Sequence, residues 1–280
     1  MSKYDLKWNE AKFKTRIKEG WGQGVGANYI PWLNVRSLPS KGDSNRVNGW
    51  KTKRTHQLLS DLELDYFFLL EWKDEIIDIR EQYPLLDVER AMEIANIIGV
   101  KYPVDRKSET PYVLTTDFLI TVFENGREYY IARTVKPSEE LEKKRVLDKF
   151  EIERRYYLEK NIDWAVVTES DIPMQLVKNV NWLHAFYQLE ITESLDIDEL
   201  SFLANLLKDE LSKSNNLIRD VFSRFDKEHN LEKGTARYLF RHLLAKKEIL
   251  MDMNEKIYEG RSASQLIKIK HDIGSEEKTV

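Results

Sequence analysis

Residues 112–136, YVLTTDFLITVFENGREYYIARTVK, decide the fold. Two runs rich in Tyr, Val, Ile, Thr and Phe flank Asn125-Gly126, a dipeptide suited to a tight hairpin turn because both central residues need positive φ. With these two at the turn, Glu124 faces Arg127, Asp117 faces Thr134 and Thr115 faces Lys136. Side chains alternate faces with period two, so Asp117, Thr134 and Lys136 share one face. Asp117 and Lys136 become diagonal neighbours, roughly 7–8 Å apart at Cα. A slip of one residue would send the second strand's set to the opposite face.

An aspartate and a lysine so placed suit metal-assisted phosphodiester hydrolysis. The carboxylate holds Mg, which polarises the phosphate and acidifies a water, and the ammonium stabilises charge gathering on the phosphorus oxygens. On a solvated sheet face the same pair would only mark the wet side. Asp117, however, interrupts the apolar run 113–123, and a buried carboxylate needs a partner or a metal. A second carboxylate lies upstream. The segment 55–72, THQLLSDLELDYFFLLEW, has helical apolar spacing through Leu58, Leu59, Leu62, Tyr66, Leu69 and Leu70. Glu63, four after Leu59 and three before Tyr66, falls in that stripe, while Asp61 and Asp65 look outward. Packed over Asp117, this helix would complete a two-carboxylate site.

The remaining chain builds outward from this pair. Residues 3–19 read as an amphipathic helix with Trp8, Phe13 and Ile17 as contacts. The glycine-bearing loop 21–33 has no strand before it and no βαβ unit around it, which excludes a dinucleotide site. Residues 34–56 are polar and carry Lys41, Arg46, Lys51, Lys53 and Arg54 against a lone Asp43. The net charge of −4 gives no global attraction for nucleic acid, so this local patch is the candidate DNA-binding surface. A buried strand is predicted over 75–86, a short helix over 87–100, a loop over 101–111 and a long charged helix over 138–161. A further strand, 162–169, joins the hairpin by a right-handed crossover.

The chain has 280 residues, enough for two domains. With no cysteine there is no disulfide or thiolate zinc site, which fits a cytoplasmic protein. The five histidines are scattered without ligand spacing. No apolar run reaches membrane-spanning length, and no apolar signal core opens the chain, so no membrane role is expected.

The α, β, β-hairpin, α, β order with its site resembles the restriction-endonuclease-like core of the PD-(D/E)xK nucleases, an α/β fold with an αβββαβ arrangement. The local sequences go further. RIKEGWGQGVGANYIPWL, LLSDLELDYFFLLEW, DIREQYPLL, TTDFL, VKP and FEIERRYYLEK, spread from Arg16 towards Trp182, resemble the TnsA endonuclease family of heteromeric transposases. The resemblance implies Glu63, Asp117 and Lys136 as catalytic residues. It also implies dependence on Mg, with two ions accommodated and Mn able to substitute. The expected function is cleavage of the non-transferred strand at the 5′ side of transposon-end DNA, together with TnsB and under control of the ATPase TnsC. In one respect the chain departs from the family: Thr134 stands where an acid or glutamine is usual. The backbone carbonyl of Val135 and waters are therefore expected to join Glu63 and Asp117 as ligands. A free-standing restriction or junction-resolving nuclease, and a weakened scaffold that recruits TnsC, are the alternatives.

The predicted domains are 1–169, catalytic; 170–260, mainly helical and winged-helix-like; and 261–280, a tail. In the second, a basic helix over 231–249 carries Arg237, Arg241, Lys246 and Lys247, followed by a β-wing turning at Met253-Asn254. It reads as a DNA-recognition helix or as a docking module for TnsC, and the resemblance favours docking.

Overall fold

A computed structural model describes residues 8–35, 44–191, 195–266 and 268–269. The chain divides into two units, Met1–Ile172 and Pro173–Val280. The first is built on a four-stranded sheet of β3 (Ile76–Pro84), β4 (Thr115–Glu124), β5 (Arg127–Val135) and β6 (Asp163–Val167), in that spatial order. The first two pairings are antiparallel and β6 runs parallel to β5. Asn125 and Gly126 take φ of 50° and 75° at the β4–β5 turn. Glu124 pairs with Arg127 and Phe118 with Arg133, the register that the turn demands.

Helices α3 (Val88–Ile97) and α4 (Lys144–Leu158) pack together, and Ile94, Leu119, Ala132, Ile152 and Tyr157 form one buried cluster with them. On the strand residues of opposite parity, Phe118 meets Tyr66 of α2 (Asp61–Trp72), ring centroids 5.6 Å apart. The order is thus α2-β3-β4-β5-α4-β6 with α3 inserted, a mixed α/β core of the expected kind. Helix α1 (Glu10–Lys18) starts later than the predicted 3–19, and residues 1–7 lie outside the described residues. Trp8 and Trp32 pack edge to face, 6.0 Å apart, and Arg16 lies over Trp8, Trp21 and Trp32. Gly22 is required here: its φ is +73°, and a Cβ would stand 2.2 Å from Pro84 at the end of β3.

Two expectations are corrected in this unit. Residues 55–58 are not the first turn of a helix. They form β2 (Thr55–Leu58), paired antiparallel with β1 (Asn45–Asn48) inside the polar stretch 34–56, for which no strand is predicted. The helix begins only after Ser60, whose hydroxyl accepts from the Glu63 amide. Apolar spacing alone runs through this boundary; the Ser60-x-x-Glu63 capping signal marks it.

The second unit contains α5 (Met174–His184), α6 (Ile197–Lys213), α7 (Ile218–Glu228) and α8 (Thr235–Ala245), then β7 (Ile249–Leu250), α9 (Ala263–Leu266) and β8 (Lys268–Ile269). A turn does occur at Met253-Asn254, with Asp252 accepting from the Asn254 amide. Among the described residues no hairpin follows it. Ile249 pairs instead with Ile269, so the strand that closes this small sheet comes from the segment expected to be a tail. Ala263, also in that segment, is fully buried. The basic face of α8 is largely used internally. Arg237 pairs with Glu259, Arg241 lies over Trp182 and Phe186, and Lys246 lies over Tyr187. Among the described residues no helix is long and apolar enough to cross a membrane.

Candidate active site

The site forms where the N-terminus of α2 meets the ends of β3, β4 and β5. Glu63 occupies the third position of α2 and is 6% exposed. Its carboxylate reaches back over the helix end, accepting from the Leu59 amide at 2.9 Å and the Ser60 hydroxyl at 3.1 Å. Asp117 is half-buried on β4 and accepts from the Val135 amide at 2.8 Å. Between the two stands Gln82 of β3. Its amide nitrogen donates to Glu63 at 3.1 Å and approaches Asp117 at 3.5 Å. Nothing in the sequence pattern singles out Gln82. Its neighbours predict an ordinary strand residue, yet its φ is +50° and its carbonyl accepts from the Trp32 amide outside the sheet.

The electrostatics are those of two carboxylates short of positive charge. Burial, and then the charge of Asp117, push Glu63 up to about 8, with the Leu59, Ser60 and Lys136 interactions opposing. Burial likewise raises Asp117 against the pull of the Val135 amide and Lys136. Lys136 is half-buried just past β5; its amide donates to Val167, and its ammonium forms no hydrogen bond or ion pair among the described residues.

Among the described residues no group of three or more His, Cys, Asp or Glu is arranged to hold a metal. The donor set is a carboxylate pair, which fits Mg: that ion is commonly held by one or two carboxylates, with waters and substrate phosphate completing its shell. Val135 contributes its amide to Asp117. Thr134 is buried and donates to Glu153 of α4 at 2.7 Å, and Thr116 donates to the same oxygen at 3.1 Å. Burial raises Glu153 to about 8, the Thr134 hydroxyl opposing and Asp117 adding to the rise. The position that lacks a ligand is therefore tied to a buried carboxyl one layer behind the site. No pattern in the sequence pointed to Glu153, which lies in a helix of many charges.

Asp117, Thr134, Lys136 and Glu153 open onto a cleft of about 900 Å³ between the 101–115 segment and α4. The predicted basic patch is not brought there as a group. Arg54 turns inward, its guanidinium 2.7 Å from Glu81 and 2.8 Å from the Ile79 carbonyl, and its side chain is 8% exposed. His56 completes the arrangement at 2.7 Å from the same carboxylate. Against the cost of burial, His56 and Arg54 hold Glu81 down at about 2. Arg54 is thus a latch fastening the β1–β2 ribbon to β3, a correction of its expected DNA contact. Lys51 donates to the Lys73 carbonyl, Arg46 and Lys53 are exposed, and Lys41 lies outside the described residues.

Residues 73–169 match the family described as TnsA-like endonuclease N terminal, and residues 171–253 match TnsA endonuclease C terminal. The chain is 42% identical over 209 residues to the Transposon Tn7 transposition protein TnsA of Escherichia coli, covering 75% of each chain. This chain belongs to the TnsA endonuclease family. As a TnsA-family endonuclease it places Asp117, Thr134 and Lys136 inside the matched N-terminal stretch, and Glu63 ten residues ahead of it.

Proposed function

We propose that the chain is the metal-dependent endonuclease subunit of a Tn7-like transposase, hydrolysing the non-transferred strand at the 5′ side of each transposon end. The observation that carries this reading is the meeting of Glu63 and Asp117 across Gln82, with an uncommitted Lys136 beside them. Glu63, Asp117 and the Val135 carbonyl would hold Mg or Mn. When bound, the metal supplies Lewis-acid polarisation of the phosphodiester and an acidified water nucleophile. Glu63 and Asp117 would fix where the cation sits relative to the cleft. The Val135 amide keeps the Asp117 carboxylate turned to that position. Lys136 supplies positive charge where negative charge gathers on the phosphoryl oxygens. TnsB, acting on the opposite strand, and TnsC, docking on the second unit, are the partners this reading entails; the family membership supports them.

Calorimetric Mn titration of the wild type and Asp117→Ala tests the site, alongside strand cleavage in a reaction reconstituted with TnsB and TnsC. Wild-type binding lost in the variant, together with loss of 5′-strand cleavage, is expected. A variant that cuts at the parental rate refutes the assignment.

A further inference from the structure

Among the described residues five cations line the cleft over the site: Lys101 and Arg106 from the 101–115 segment, Lys136 just past β5, and Arg145 and Lys149 on α4. Among the described residues none of the five side chains forms a hydrogen bond or ion pair. Several arginines elsewhere in this unit are paired. Arg54, Arg80, Arg90, Arg133, Arg154 and Arg155 are each paired with a carboxylate. The cleft's own acids do not neutralise the five. Glu140 is paired with Lys143, Glu153 is taken by two threonines, and Asp117 faces Gln82. Asp148 alone adds a half-exposed carboxylate to the lining.

The α4 wall is the stronger argument. No acid lies in the first turn of this helix, which opens with Lys144 and Arg145. Cations there oppose the helix dipole, so helix stability is not what places them. Arg145 and Lys149 are four residues apart and share a face. Lys149 is half-buried; that burial lowers its pKa, Arg145 and Lys136 lower it further, and Glu153 opposes them. Three like charges gathered around one opening, one of them desolvated, make a site that an anion stabilises. Backbone phosphates of a nucleic acid supply anions at regular spacing, and the catalytic lysine is already part of the group.

We propose that Arg145 and Lys149, with Lys101 and Arg106 opposite, form the phosphate track that leads a DNA strand over Lys136 into the site. The 46–54 region is not part of this track. The proposal rests on the endonuclease reading and deepens it, and the two fail separately.

The test is fluorescence anisotropy with the full chain and a labelled 30-base-pair duplex in EDTA, from 50 to 200 mM salt. Arg145→Ala/Lys149→Ala is compared with Arg46→Ala/Lys53→Ala and Asp117→Ala. The first variant should bind about tenfold more weakly, and its plot of log affinity against log salt should be shallower by about 2, roughly one unit per lost phosphate contact. Arg46→Ala/Lys53→Ala should match the wild type in both, and Asp117→Ala should bind at least as well as the wild type. An unchanged salt slope in Arg145→Ala/Lys149→Ala overturns the track, as does wild-type affinity weaker than about 100 µM at the lowest salt, the weak limit of non-specific binding. Either result leaves the endonuclease reading standing if Asp117→Ala still abolishes cleavage. A weakened Arg145→Ala/Lys149→Ala beside an Asp117→Ala that still cuts would keep the track and sink the active site.

Discussion

Gln82 adopts φ of +50° inside a strand, although it is neither glycine nor asparagine and is 2% exposed. A left-handed conformation costs a residue with a Cβ roughly 1–2 kcal/mol, so the surroundings must enforce it. They do so from three sides: the Trp32 amide on its carbonyl, and Glu63 and Asp117 on its side chain. Two substitutions separate backbone from amide. Gln82→Gly accepts the φ and loses the amide; Gln82→Ala loses the amide and keeps the strain. By urea unfolding the glycine variant should be the more stable by about 1 kcal/mol. Without the bridging nitrogen the carboxylate pair holds a proton more firmly, so Mn should bind about tenfold more weakly to both, as for other groups that orient metal ligands. Wild-type Mn affinity in either variant would show that the amide does not organise the pair. The sequence could not reveal Gln82, because its conformation is set by contacts 19 to 50 residues away. It misled at Arg54 for a related reason: it displays the charge and not the partner, Glu81, 27 residues on.

Elements whose rules are local were the legible ones. Asn125-Gly126 fixes the hairpin register, observed from Glu124–Arg127 to Phe118–Arg133, and the far end of that hairpin carries Asp117, Thr134 and Lys136 to one cleft. The wing was not legible, since β7 pairs with a strand 18 residues further on and no local turn specifies that closure. Glu153 belongs to the same class: it fastens α4 to the hairpin through Thr116 of β4 and Thr134 of β5. This tie is pH-dependent. The carboxyl stands near 8 in the folded chain against 4.5 as the ordinary value. Between those values the folded chain keeps a proton that the unfolded chain gives up. The stabilisation is therefore complete below about 4.5 and is lost as pH rises through about 8, at up to about 1.4 kcal/mol per pH unit. Glu153→Gln keeps the shape and cannot titrate. Its stability relative to wild type, from urea midpoints, should rise steadily from pH 5 to pH 8. A constant difference across that range would mean that Glu153 is already ionised at pH 5.

At the scale of the whole chain, each unit carries its own packing and the proposed chemistry lies in the first. Glu63, Gln82, Asp117, Lys136 and the cleft all belong to Met1–Ile172, with buried clusters of their own. The second unit carries its own core, including Leu200, Leu207, Phe225, Phe240 and Ile249, and its own internal ties. Asn179 donates to the Met253 and Glu255 carbonyls, and Asp226 accepts from the Gly234 and Ala236 amides at the start of α8. Arg237 and Arg241, the residues that suggested a DNA-recognition helix, are spent on Glu259, Trp182 and Phe186. The docking role proposed for this unit is tested by truncation. A fragment ending at residue 172 should therefore fold, bind Mn like the full chain and retain its duplex affinity, because every residue of the site and of the proposed phosphate track is present. The same fragment should lose association with TnsC in a pull-down that the full chain passes. Duplex affinity falling more than tenfold on truncation would return α8 to DNA binding, and full TnsC association by the fragment would move docking to the catalytic unit.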